Sequence, residues 1–178
     1  MAIAKRKKRF FDVEIPIINR QTQLQAYEIK ELDGRIIKYD LTRVLRGKAL
    51  LLQLKVNVKD DEVTTIPQES NLMPYYLRRM VRKGTNYIED SFSAKCKDAK
   101  LKIKILLVSR RKISRAVRKA LREKAREELI IYVKDKKSQT IFEDLLKNQI
   151  QKPLSLKLKK IYPLSLCEIR HLKVEKEK

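Results

Sequence analysis

From residue 50 to residue 58 the chain alternates: Leu50, Leu52, Leu54, Val56 and Val58 share one side, and Gln53, Lys55 and Asn57 take the other. A period of two sends neighbouring side chains to opposite faces of a strand, so this stretch predicts a half-buried strand. Leu101, Ile103, Ile105 and Leu107 repeat the pattern against Lys100, Lys102 and Lys104, and Ile88, Phe92, Ala94 and Cys96 do so more weakly. Joined across Lys97, Asp98 and Ala99, these two runs predict a hairpin. Further strands are expected over residues 11–15, 24–32, 35–39 and 166–174, with Asp33-Gly34 as a hairpin turn between the second and third.

The spacing changes to three and four at Met73, Leu77, Met80 and Val81, which predicts a helix. Ser114 is a suitable N-cap for a longer helix marked by Val117, Leu121 and Leu129 and ending near Val133. A third helix, capped by Ser138, carries Phe142, Leu145, Leu146 and Ile150, and a short fourth runs from about Leu154 to Ile161 before Pro163 stops it. No repeat and no Gly-rich linker divides the chain. The expectation is one α+β domain over residues 1–178: a largely antiparallel, barrel-like β-sheet with several α-helices packed at one side. Its basic ends, about 1–10 and 173–178, are expected to be flexible.

Charge narrows the function. Lys and Arg number 44 against 22 Asp and Glu, a formal charge of +22, in a chain that is 37% charged where roughly 25% is usual. Such a chain repels itself unless a polyanion neutralises it. Membrane is the weaker candidate, since the longest apolar runs, 49–52, 105–108 and 129–133, fall far short of the roughly 20 residues that cross a bilayer. The basic start is followed at once by Asp12 and Glu14, with no apolar stretch of a signal peptide, so a cytosolic protein is expected. Nucleic acid is the partner the charge implies.

Several basic groups are placed to meet it. Arg115, Arg118, Arg122 and Arg126 recur at helical spacing beside Lys119, and Arg110, Arg111 and Lys112 lead into them. Planar guanidinium groups grip phosphate oxygens with two prongs, which Lys cannot copy. Arg78, Arg79, Arg82 and Lys83 occupy the side of the earlier helix away from Met73, Leu77 and Val81, next to Tyr75 and Tyr76, which either pack in the core or stack on an unpaired base. Lys5, Arg6, Lys7, Lys8 and Arg9 form an N-terminal run that reads either as a solubility tail or as an arm ordered on RNA.

Catalysis finds little support. The one histidine, His171, sits in the expected last strand among Arg170 and Lys173, where it reads as structural or as a phosphate contact. Cys96 and Cys167 have neither Cys-x-x-Cys spacing nor a nearby His, so two buried reduced thiols are expected and no metal site. Asp60, Asp61 and Glu62 could hold a divalent ion in a nuclease, but they follow a strand where a polar turn is expected. Neither enzyme nor cofactor is expected; a free nucleoid or chromatin protein would share the charge.

Three motifs carry a resemblance. Lys159-Lys-Ile-Tyr-Pro-Leu164 with Glu168-Ile-Arg-His-Leu-Lys-Val174, the helix Tyr75-Tyr-Leu-Arg-Arg-Met-Val-Arg-Lys83, and Arg110-Arg111 followed by Arg115-Ala-Val-Arg-Lys-Ala120 resemble the archaeal and eukaryotic S-three-a-e family of small-subunit ribosomal proteins, especially in its archaeal form. Phe10 to Pro16, and Arg35-Ile-Ile with Asp40-Leu-Thr42, match more loosely, and Asp98-Ala99 stands where the family's hairpin turn carries Gly. The resemblance covers nearly the whole chain. It implies a structural platform protein that binds ribosomal RNA near its 3′ region beside the messenger exit path. Neighbouring platform proteins are implied partners, with mRNA and initiation factors as further candidates, and no small-molecule substrate or membrane is implied.

Overall fold

The computed structural model describes residues 7–59 and 62–175. They form β1 (Arg9–Ile15), β2 (Arg20–Ala26), β3 (Ile36–Asp40), β4 (Leu50–Lys59), β5 (Glu62–Leu72), α1 (Pro74–Met80), β6 (Tyr87–Lys95), β7 (Lys100–Ser109), α2 (Arg115–Lys134), α3 (Ser138–Leu146), α4 (Gln151–Lys159) and β8 (Leu164–Glu175). The fold is α+β, and its strands are mixed but largely antiparallel. They do not close into a barrel: among the described residues β2 pairs only with β1, and β6 only with β7. The chain divides into two compact units, Met1–Tyr39 with Gln53–Gln68 and Asp40–Leu52 with Glu69–Lys178.

In the first unit β1 and β2 pair antiparallel from Arg9↔Ala26 to Ile15↔Arg20, and β1 meets β5 in parallel at Glu14↔Thr64. Val13, Ala26, Leu32, Val56 and Val63 form the core, flanked by Phe11, Leu24, Ile29, Ile37 and Val58. The strand expected over 24–32 stops at Ala26, and Ile29–Leu32 is a 3-10 turn. Ile29 and Leu32 are three apart, the spacing at which a 3-10 turn stacks side chains on one side, and both reach the core. Asp33-Gly34 therefore follows a helical turn instead of joining two strands. Gly34, at φ +74°, donates its N–H to the Val56 carbonyl at 3.0 Å. This left-handed conformation suits glycine.

The sequence pattern predicts no strand where β5 forms. Its inward positions include Thr65 and Ser70, both buried, and Pro67, so the apolar signal is broken along its length. The Thr65 hydroxyl donates to the Glu14 carbonyl at 3.1 Å, which satisfies it in place.

In the second unit β7 lies between β6 and β8, and β8 also pairs with β5 at Glu69↔Lys173, Ser70↔Leu172 and Asn71↔His171. Leu101, Ile103 and Ile105 are buried on one face of β7, as the alternation predicts. The strand is also buried on its other face at Leu106 and Val108. α2 packs on β6 through the i, i+4 row Leu121, Ala125, Leu129 and Val133, and α4 packs on β8 and on α2. The Ser114 hydroxyl accepts from Val117 N–H, confirming the expected cap.

The third helix is shorter than expected and the fourth begins earlier. α3 ends at Leu146, Asn148 turns left-handed at φ +57°, and α4 starts at Gln151. Asn tolerates that conformation and ends helices with it. Lys48 fixes the junction by donating to Asn148 Oδ1 at 3.0 Å and pairing with Glu168 at 2.7 Å. Ser138 is not the cap of α3 but its first residue, and the cap comes from Asp98 in the β6–β7 turn.

Candidate nucleic-acid interface

Two basic segments, remote in sequence, are tied together at one corner of the second unit. Arg82 and Lys83 lie beyond the end of α1, in a turn where Thr85 N–H donates to the Arg82 carbonyl, so they are not on the helix face as expected. Asn86, which follows that turn, meets Ser109 at the end of β7. Ser109 Oγ accepts from Asn86 N–H and donates to the Arg111 carbonyl at 2.6 Å, while Asn86 Oδ1 accepts from Ile113 N–H at 2.8 Å. Ser109 is fully buried, so this is a fixed junction and not a surface loop. Arg82, Lys83, Arg110, Arg111, Lys112 and Arg115 all project from it exposed to solvent.

The stripe on α2 borders the buried face. Arg118 precedes Leu121 by three residues and Arg122 precedes Ala125 by three, spacing that makes them surface neighbours on a helix. Arg115 and Arg122 are exposed, whereas Arg118 is half-buried with its Nε free of any hydrogen-bond partner. Arg126 is taken up by the fold: both its Nε and Nη2 donate to the Asp90 carboxylate, at 2.9 and 2.8 Å, and its guanidinium lies over the Phe92 ring. That bidentate bond and the Asp90 charge hold the Arg126 pKa above its ordinary value. Lys119 has Glu123 at 3.8 Å, one turn on, but both side chains are largely in water and the pair is weak.

Elsewhere the expected residues separate. Arg78 and Arg79 are exposed on α1; Tyr76 is core, and Tyr75 is 44% exposed. Lys7, Lys8 and Arg9 are exposed in the first unit, Arg9 within β1 and Lys8 with its ammonium 5.6 Å from the Tyr27 ring centre. Lys5, Arg6, Asp60 and Asp61 lie outside the described residues, and Glu62 opens β5.

A further basic row escaped the site expected from sequence. On the sheet face opposite Phe92, Ile103 and Leu172, the register sets Lys95 against Lys100, and Lys102 against Lys173. Like charges directly opposite on neighbouring strands destabilise a sheet unless something neutralises them. Glu175 lies 3.5 Å from Lys100 and Glu69 3.4 Å from Lys173, but Lys102 and Lys104 have no carboxylate within ion-pair distance among the described residues. His171 bonds Glu69 at 3.0 Å, a structural role. Burial raises the Glu69 carboxyl, and its bonds to His171 and Lys173 more than reverse this, leaving it below the usual range. The signal was present as the polar half of the β7 alternation, but only the register shows which cations oppose one another.

Both cysteines are free thiols; Cys167 is buried, which pushes its pKa to about 12, while Cys96 is only half-buried and bonds the Ala99 carbonyl. Among the described residues no cluster of three or more His, Cys, Asp or Glu is placed to hold a metal ion, and no helix is long and apolar enough to cross a membrane.

Comparison with known proteins gives these surfaces a lineage. The chain is 25% identical to small ribosomal subunit protein eS1 of Nanoarchaeum equitans, over 96% of this chain and 90% of that protein. It is 27% identical to small ribosomal subunit protein eS1 of Pyrobaculum aerophilum, over 99% of this chain and 85% of the relative. With Methanothermobacter thermautotrophicus eS1 the identity is 28% over 68% and 63% of the two chains. Residues 4–178 match the model of the Ribosomal S3Ae family. The chain belongs to the Ribosomal S3Ae family.

Proposed function

We propose that this protein is a structural constituent of the small ribosomal subunit, acting in translation by holding folded ribosomal RNA and not by catalysis. The observation that carries the reading is the corner at Asn86 and Ser109, where hydrogen bonds centred on the buried Ser109 tie the segment bearing Arg82 and Lys83 to the one bearing Arg110, Arg111, Lys112 and Arg115. Cations on a rigid frame displace counterions from phosphates without first being ordered, so binding is strong and salt-dependent. Contacts of this kind set register on the RNA and read little sequence. Arg118 and Arg122 extend the surface along α2, and Arg78 and Arg79 add to it from α1. Lys5 to Arg9 supply a second, N-terminal set.

The family resemblance supports a finer placement: the subunit's platform, near the 3′ region of its RNA and the messenger exit path, with neighbouring platform proteins, mRNA and initiation factors as partners. The protein then works in the cytoplasm and needs no cofactor, membrane or small-molecule substrate. The test is binding to a folded fragment of small-subunit RNA and to duplex DNA at equal salt. With about ten phosphates engaged, the log-log salt slope on the RNA is roughly −7 to −9, and the RNA is preferred. A nearly flat salt curve, or equal affinity for the DNA, contradicts the reading.

A further inference from the structure

A hollow of about 530 Å³ opens between α1 and the lysine-bearing face of the β6–β7–β8 sheet, within the roughly 300–1,000 Å³ of small-ligand sites. Leu77 and Val81 line it from the α1 side and Leu106 from β7, giving apolar walls. Tyr87 stands at its edge, 57% exposed, a large aromatic left in water beside aliphatic surface. Its polar groups are Arg78, from α1, and a Glu89–Arg170 ion pair at 2.9 Å whose members are both well exposed. Along β7 on the same face, Lys104 and Lys102 follow Leu106 at steps of two residues, each step about 7 Å.

We propose that this hollow holds one unpaired nucleotide of RNA, the base stacked on Tyr87 against the aliphatic walls and the flanking phosphates met by Arg78 and Lys104. The inference rests on the RNA-binding reading above: the hollow adjoins the Asn86–Ser109 corner and shares Arg78 with its surface, but Leu77, Val81, Leu106 and Tyr87 give it an apolar lining for a base. Apolar walls, an exposed ring and a cationic rim are what a splayed-out base needs. An apolar side chain from a neighbouring protein fits the walls but leaves Arg78, Lys102 and Lys104 without counter-charge. Glu89 is the informative exception, since a carboxylate on a phosphate-binding rim repels phosphate yet accepts N–H groups from a base edge. Arg170 occupies only part of its acceptor capacity. Adenine, cytosine and guanine present an amino group to such an acceptor, whereas uracil presents a single N–H flanked by carbonyl oxygens. The site therefore favours amino-bearing bases over uracil.

The experiment uses the full chain and fluorescence anisotropy at one salt concentration, with labelled heptamers of adenylate, cytidylate and uridylate, an equally charged heptamer of abasic ribose phosphate, and an RNA duplex. The expected result is that the abasic heptamer binds wild-type protein about tenfold more weakly than heptaadenylate. Tyr87→Ala should weaken heptaadenylate by a similar factor with duplex binding unchanged, Tyr87→Phe should retain it, and Glu89→Gln should remove the preference over heptauridylate. The abasic comparison needs no variant and so does not depend on how Tyr87→Ala folds. If the abasic heptamer binds as tightly as heptaadenylate, or the duplex binds and no heptamer does, the nucleotide site is overturned while the RNA-binding reading stands. If neither heptamers nor duplex bind, the RNA-binding reading itself has failed.

Discussion

Asn86 and Ser109 clasp each other in both directions: Asn86 N–H donates to Ser109 Oγ at 3.0 Å, and Ser109 N–H donates to the Asn86 carbonyl at 2.9 Å. The clasp lies between two basic segments more than twenty residues apart and turns them into one surface. Ser109→Ala removes the acceptor of the Asn86 N–H and one bond of the Arg111 carbonyl in a part-buried setting, which costs about 1 kcal/mol. Urea unfolding should show that loss, and RNA affinity should fall beyond it, because the Arg110–Lys112 segment is no longer fixed. A variant with wild-type stability and wild-type RNA binding would show that the corner does not depend on the clasp.

The Asp98 carboxylate caps α3 from outside the helix, accepting from Ser138 N–H at 2.8 Å and Ser138 Oγ at 2.6 Å. Burial pushes the Asp98 carboxyl up, but the Ser138 bonds more than offset this and hold it below the usual carboxylate range. Asp98→Ala should lower stability by about 1 kcal/mol, the ordinary value of a lost cap. Amide exchange should speed up in α3 more than in α2, and uniform exchange in the two helices would contradict the assignment.

Arginines on α2 divide into two classes that a salt titration separates. Arg115→Ala with Arg122→Ala should make the log-log slope on folded RNA shallower by about 2 and leave the melting temperature unchanged. Arg126→Ala should do the reverse, lowering the melting temperature and sparing the slope, since Arg126 spends its donors on Asp90. Equal effects of the two substitutions on the slope would place Arg126 on the RNA after all.

Asp144, 6% exposed, accepts from Lys136 Nζ at 2.6 Å and Tyr132 Oη at 2.8 Å. Burial raises its pKa, and the Lys136 and Tyr132 bonds outweigh burial, so the net shift is downward. A depressed carboxyl contributes stability that is fully present above its unfolded value, about pH 3.9, and is lost as pH falls through the lower folded value. Asp144→Ala should cost about 2–3 kcal/mol at pH 7. The gap to wild type should narrow below pH 4 in urea midpoints measured across pH, and a gap that is constant or widens with acid would refute the linkage.

Much of this was legible in the chain. The strands at Leu50 and Leu101 and the helix after Ser114 announce themselves because burial on one face imposes a regular period, and Ser114 has the side chain a cap requires. β5 stayed hidden because Thr65 and Ser70 face inward, and the Glu14 carbonyl that accepts from Thr65 is too distant in sequence for a local pattern to show. Ser138 looks like a cap for a related reason: it precedes a helical run, but the oxygen that caps the helix belongs to Asp98, forty residues earlier. The basic groups of the site were visible as types and spacings. Their sorting was not, since Arg126 differs from Arg122 only in having Asp90 within reach, and the Lys102–Lys173 opposition exists only once the strands are in register.

The most direct test of the central claim is co-sedimentation of the tagged protein from cell lysate through a high-salt sucrose gradient, with ribosomal RNA and each subunit followed separately. The account predicts near-stoichiometric residence with the small subunit that survives the salt, as for a component whose fixed cations are buried against RNA. Release to the top of the gradient, or migration with DNA, would contradict it and make the basic corner the surface of a free nucleic-acid-binding protein.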